Sequence, residues 1–145
     1  KVDSRMDVVL LNDLNFKIID SAKQIRIKKS FDIVVAIYLL SLFEEKELKA
    51  FFENAKKLLN DDGILAISFL SRNDAEYGLG EKLKDGAFLF NKGQYLKFYS
   101  KKEAVDCVRK NNFIVRNIFE VKEKRFIDIL RKNVISKSWV VIAKK

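Results

Sequence analysis

Residues 31 to 70 constrain the fold more than any other part of the chain. FDIVVAI, from Phe31 to Ile37, is a nearly unbroken apolar run, the pattern of a strand covered on both faces by helices. In EEKELKAFFENAKKLL, which follows, Leu48, Phe51, Phe52, Ala55, Leu58 and Leu59 recur at helical spacing. Its acids fall in the first turn and its lysines in the last, as the helix dipole favours. The helix is expected to stop at NDDG, where Gly63 can take the positive φ of a tight turn. ILAISFL, from Ile64 to Leu70, is then a second fully apolar strand. Strand, helix, turn and strand form a βαβ unit, which joins parallel strands by a right-handed crossover.

The flanking segments extend this α/β reading over one domain, residues 1–145, since a chain of this length buries about 70% of its unfolded surface. In DSRMDVVLLN, Ser4 precedes Asp7 by three residues, a capping pattern that predicts a short helix ending near Asn12. NFKIID reads as a strand ending in Asp20, and SAKQIRIKKS as a loop. Residues 71–99 hold Gly78, Gly80, Gly86 and Gly93 with Tyr77, Tyr95 and Tyr99. Such a connection after a parallel strand is expected to be a lid or substrate loop. Ser100 and Glu103 form a second capping box, opening a helix through about Lys110. FIVRNIF is a strand, residues 121–134 fit neither period, and SWVVIA closes the chain as a strand.

Composition removes several chemistries. The chain has no histidine and one cysteine, Cys107, which excludes a disulfide framework, a zinc site of the usual donors and a histidine-based triad. No metal site is expected. No run approaches the roughly 18 apolar residues of a membrane span, so the expectation is a cytoplasmic protein without membrane contact. Charge is uneven: residues 92–145 carry 15 Lys and Arg against 5 Asp and Glu, and residues 1–91 carry 14 against 15. The basic third could meet a nucleic acid, although a solvated basic surface is the favoured reading.

In an open parallel sheet, ligands bind beyond the carboxyl ends of the strands. Asp3, Asp20 and the segment Ala36 to Tyr38 fall at such ends. One acid there can accept both ribose hydroxyls and another the exocyclic amine of adenine, because these ligand groups are donors. Asp3 and Asp20 could equally fill caps or turns.

From FDIVVAIYLLSLF through AKKLLNDDGILAIS and QYLKFYSKKEAVDCVRKNNFIVRNI to SWVVIAKK, the sequence resembles the class I S-adenosylmethionine-dependent methyltransferases, in particular the small-molecule type that includes the tellurite-resistance-like branch. The resemblance implies a Rossmann-like three-layer sandwich, a mostly parallel sheet with an antiparallel last strand. It implies that Asp3 binds the ribose of S-adenosylmethionine, that Asp20 and the backbone at Ser21 hold the adenine, and that Ala36, Ile37 and Tyr38 line the methyl side. The implied activity is methyl transfer to a small-molecule acceptor by in-line displacement. No catalytic residue is assigned; if a base exists, Glu76, Tyr77, Tyr95 and Tyr99 are the candidates. The chain departs from the family pattern in two places. The turn after the helix is NDDG in place of Pro-Gly-Gly, and the glycine-rich cofactor turn after the first strand is missing, YGLGEK standing in the wrong context. The expectation is a portion of a longer methyltransferase that lacks the first strand. The alternative is a non-catalytic methyltransferase-like module serving as a partner subunit or an RNA-binding surface.

Overall fold

A computed structural model describes residues 8–12, 15–19, 30–90, 93–127 and 130–145, with side chains from residue 30 onward. In chain order the elements are β1 (Val8–Asn12), β2 (Asn15–Ile19), β3 (Phe31–Ala36), a 3-10 turn (Leu40–Leu42), α1 (Glu45–Leu58), β4 (Leu59–Ser71), β5 (Glu81–Lys84), β6 (Ala87–Phe90), β7 (Gln94–Tyr99), α2 (Lys101–Lys110), β8 (Ile114–Ile127) and β9 (Lys132–Lys144).

β4 is the spine. Its residues Ile64 to Ile67 pair in parallel with β3 and, on the opposite edge, antiparallel with β9. Where β3 ends, β7 takes over the same edge of β4 through Leu70 and Ser71. The larger sheet runs β5-β6-β7-β4-β9-β8 with β3 also on β4, and β1 and β2 form a separate two-stranded sheet. The expected βαβ unit is present, but the sheet is mixed and largely antiparallel: parallel pairing is confined to β3–β4 and the short β4–β7 contact. Two features outweigh the parallel start. β5, β6 and β7 form an antiparallel meander, and β8 and β9 one long antiparallel pair.

Register assigns the faces. Val34 stands opposite Leu65, and Leu65 opposite Ala143, so these side chains share a face. On it, Leu65, Ile67, Phe69, Val141 and Ala143 are wholly buried against α1 and α2. The six apolar positions that periodicity places together in and after α1 are all buried. Phe52 packs edge-on to Phe51 and tilted on Phe113, tying α1 to the strand after α2. Both helices start as their sequences direct: Glu44 N–H donates to Glu47, and in α2 the Ser100 hydroxyl and Glu103 carboxylate each accept from the other's backbone N–H.

The other face departs from expectation. Ile33 and Val35, which the unbroken apolar run places under a second helical layer, are 55% and 53% exposed, and Ile64 beside them is 40% exposed. Helices cover one face only among the described residues.

Two local expectations also change. Residues 8–12 form a strand, not a helix, because the run Val8-Val9-Leu10-Leu11 suits a pleated ribbon better than a helix, where β-branched residues lose side-chain freedom. Gly63 is not a turn: α1 passes directly into β4 at Leu59, and Gly63 lies within that strand without a positive φ. Glycine is needed there for space, since a Cβ would come within 2.7 Å of the Leu59 side chain. No helix among the described residues is long and apolar enough to cross a membrane.

Candidate functional site

The carboxyl end of β3 is built to hold an unusual turn. Ala36 is buried, Ile37 is exposed, and Tyr38 adopts φ 58°, a left-handed conformation that is rare for a bulky residue. Several contacts hold it there. The ladder between β3 and β4 stops at the pair Ala36 and Ile67. Beyond it, Tyr38 N–H donates to Ser68 Oγ at 2.9 Å, and Leu70 N–H donates to Ser41 Oγ at 2.8 Å. Both serines are buried, so side chains satisfy backbone donors that the ladder no longer serves. The Tyr38 hydroxyl donates to the Glu123 carboxylate on β8.

The β8–β9 hairpin and the turn after β4 complete the wall on the face that the helices leave open. Asp74, 5% exposed, accepts from Glu76 N–H at 2.8 Å, from Ser136 Oγ at 2.6 Å and from Lys137 N–H at 2.7 Å. Glu76 forms an ion pair with Arg125. Burial pushes the Glu76 carboxyl up, with Arg125 pulling against it. Tyr38 is also pushed up, first by its hydrogen bond to Glu123 and then by burial, which keeps it a hydroxyl and a donor. Arg125 Nε is buried with no hydrogen-bond partner among the described residues. Chemically, carboxylates gather around one tyrosine hydroxyl and one guanidinium at the strand ends. Within the wall Asp74 is filled by three donors, Glu123 by Tyr38 and Glu76 by Arg125, and burial of Glu76 favours its protonated form while Arg125 opposes it.

Of the residues singled out from sequence, Ala36, Ile37, Tyr38 and Glu76 meet here, Tyr38 and Glu76 being linked through neighbouring Glu123 and Arg125 on one face of β8. Tyr77 lies elsewhere, edge-on to Phe88 and Phe98 at 5.3 and 5.6 Å. Tyr95 and Tyr99 belong to β7 and line a groove between α1 and α2. Asp3, Asp20 and Ser21 lie outside the described residues. Sequence periodicity does not single out Ser68, Asp74, Glu123 or Arg125. The available signal was a serine inside each of two apolar strands, ILAISFL and VISKSWVVIA, where a buried hydroxyl needs a partner.

In sequence the chain matches no protein-family model and no curated protein. In structure it is similar to a SAM-dependent methyltransferase from Methanosarcina mazei, with TM-score 0.68 and 17% identity over 89% of this chain and 66% of that one. It is also similar to 1,6-didemethyltoxoflavin-N1-methyltransferase from Burkholderia thailandensis, a structure with 1,6-didemethyltoxoflavin and S-adenosylhomocysteine bound, with TM-score 0.58 and 12% identity over 88% of this chain and 48% of that one. TehB from Haemophilus influenzae gives TM-score 0.54 and 13% identity over 89% and 40%. The chain therefore spans about two thirds or less of the length of these proteins. The β3–α1–β4 unit, with α2 and the β8–β9 hairpin on its flank, has the fold of the SAM-dependent methyltransferases.

Proposed function

We propose that this chain is part of a methyltransferase that moves a methyl group from S-adenosylmethionine to a small-molecule acceptor in the cytoplasm. The observation that carries the reading is the polar wall at the carboxyl ends of the parallel pair β3 and β4, around Tyr38. Its carboxylates fit the cofactor, because the negative charge of Asp74, Glu76 and Glu123 suits a sulfonium cation better than an anion. Ala36, Ile37 and Tyr38 would hold its methionine end; Asp3, Asp20 and Ser21 would hold the adenosine. When bound, the cofactor supplies an electrophilic methyl group, so the protein's work is alignment and exclusion of water. The Tyr38 hydroxyl, its proton held by Glu123, orients an acceptor by accepting a hydrogen bond from it. Glu76, held by Arg125, takes the proton that the acceptor loses.

The outer edge of β3 pairs with no strand among the described residues. We place there the strand and glycine-rich turn that the family carries and this sequence lacks. The test is calorimetric titration of S-adenosylhomocysteine into this chain and into the same chain extended upstream. Binding to the extended form, with weaker or no binding to the shorter one, supports the reading; binding to neither points to a non-catalytic module.

That second reading draws on one observation. β9 pairs with β4 only from Ser138 onward, so residues 122–127 and 132–137 continue past β4 as a two-stranded ribbon, with Lys122, Lys124 and Lys132 exposed. A ribbon of this kind can follow a nucleic-acid backbone, and binding through it would weaken steeply with salt. A flat salt response removes it.

A further inference from the structure

On the helix-covered side, α1, α2 and the end of β7 enclose a groove of about 750 Å³. This volume is in the range of small-molecule sites. Phe43, Leu48, Phe52 and Tyr99 supply apolar and aromatic wall, and Cys107 adds a partly buried thiol, its pKa raised by desolvation to about 11. Lys110 of α2 pairs with Glu45 of α1 at 2.8 Å across the groove.

Two features make this more than a packing defect. Tyr99 is 1% exposed, yet its hydroxyl has no hydrogen-bond partner among the described residues. A buried hydroxyl without a partner is costly unless something else accepts from it. The ammonium of Lys97 lies 4.8 Å from the centre of the Tyr99 ring. The charges at the rim are also unequal in their commitments. Glu45 is held by Lys110, Glu103 by Arg72, and Asp106 by Lys102. Lys49, Lys84 and Lys97, which also line the groove, have no carboxylate partner among the described residues, against one lining carboxylate, Glu53, with no ion-pair partner among them. The groove thus offers a buried donor, unneutralised ammonium groups and an apolar floor.

We propose that this groove is a binding site for a small amphipathic carboxylate, separate from the site at Tyr38, its apolar body against Phe43, Leu48 and Phe52 and its carboxylate accepting from the Tyr99 hydroxyl beside Lys97. A carboxylate fits better than a phosphate, because the donor is one neutral hydroxyl at the base of an aromatic wall and the lysines stand at the rim. The proposal does not rest on methyl transfer.

The test uses 4-phenylbutyrate as the probe and its uncharged amide as the control, titrated into the full chain. Trp139 reports on the groove, since its indole N–H donates to the Tyr99 carbonyl at 3.0 Å and it is the only tryptophan. A saturable fluorescence change with 4-phenylbutyrate, and about tenfold weaker binding of the amide, is expected from loss of one charge-assisted hydrogen bond. Tyr99→Phe should weaken the acid about tenfold and the amide, which loses only a neutral hydrogen bond, by less, while the variant's melting temperature stays level or rises because an unsatisfied hydroxyl is removed. Lys97→Gln, a substitution outside the core, should weaken the acid in the same direction. No saturable response up to about 10 mM, or equal affinity of acid and amide, overturns the proposal. So does equal affinity of the two tyrosine forms.

Discussion

At the scale of single residues, the structure turns on polar groups with specific partners. Arg72 is the clearest case: it donates to Asp85 at 2.6 Å and to Glu103 at 2.6 Å, and so ties the β5–β6 turn to the first turn of α2. Burial pushes the Glu103 carboxyl up, but the hydrogen bonds from Ser100 and Arg72 outweigh it and leave the group below its ordinary value. A depressed carboxylate stabilises the fold above its unfolded pKa of about 4.3, and that contribution is lost as pH falls through the folded value. Melts between neutral and acid pH should therefore show a shallower acid loss in Glu103→Gln than in the parent, and an identical slope would remove this assignment. Ser100→Ala should cost about 1 kcal/mol in urea unfolding, the usual worth of an N-cap. For Cys107, which is partly buried and whose thiol pKa is raised to about 11, alkylation by iodoacetamide at mildly alkaline pH should run at least about tenfold slower than for a free thiol. Rapid alkylation of the folded chain would contradict the burial.

Elements are where sequence reading and structure agree best. α1 and α2 were legible because amphipathic spacing, first-turn acids and the Ser100–Glu103 box all point to the same residues. Their packing sets large expected effects: Phe52→Ala, which empties a site shared by Phe51 and Phe113, should destabilise by about 3 to 5 kcal/mol in denaturant titration. The meander from β5 to β7 was not legible as such. Gly and Tyr content suggested a loop, whereas Asp85-Gly86 joins β5 and β6 as a two-residue hairpin connection. Gly86 sits at φ 71°, and a Cβ there would meet the Phe98 carbonyl oxygen at 2.6 Å. Gly86→Ala should cost more than the roughly 1 kcal/mol of conformational strain alone, because backbone must also move. A melting temperature equal to the parent's would show that the turn is free to relax.

Over the whole molecule, the decisive feature is the open sheet face. Ile33, Val35 and Ile64 lie side by side by register and stay exposed, while the polar end of the same face, at Tyr38, Asp74 and Ser136, is closed by side-chain hydrogen bonds. Apolar surface of this kind marks an interaction site or an association hazard. The isolated chain should bind a hydrophobic dye and associate with concentration, and the double substitution Ile33→Thr with Val35→Thr should reduce both. Extension upstream should suppress both as well, if the added segment covers this face. A dye response unchanged by the substitutions would place the exposed apolar surface elsewhere.

The sequence alone determined the βαβ unit, the two helices with the Ser100–Glu103 cap of the second, and the inward set of apolar residues, because each depends on periodicity or on contacts a few residues apart. The unbroken run in β3 also stated that both faces are made for burial, which is why the exposed face reads as incomplete. Only the tertiary structure decided the direction of the remaining strands, since a hairpin and a crossover can be written with the same alternating residues. It alone brought Tyr38, Asp74, Glu76, Glu123, Arg125 and Ser136 together across separations of up to 98 positions. It alone left the Tyr99 hydroxyl, in a residue lining a groove, without a partner among the described residues. Such polar convergence follows from strand register and chain crossing, and no local pattern of residue types encodes either one.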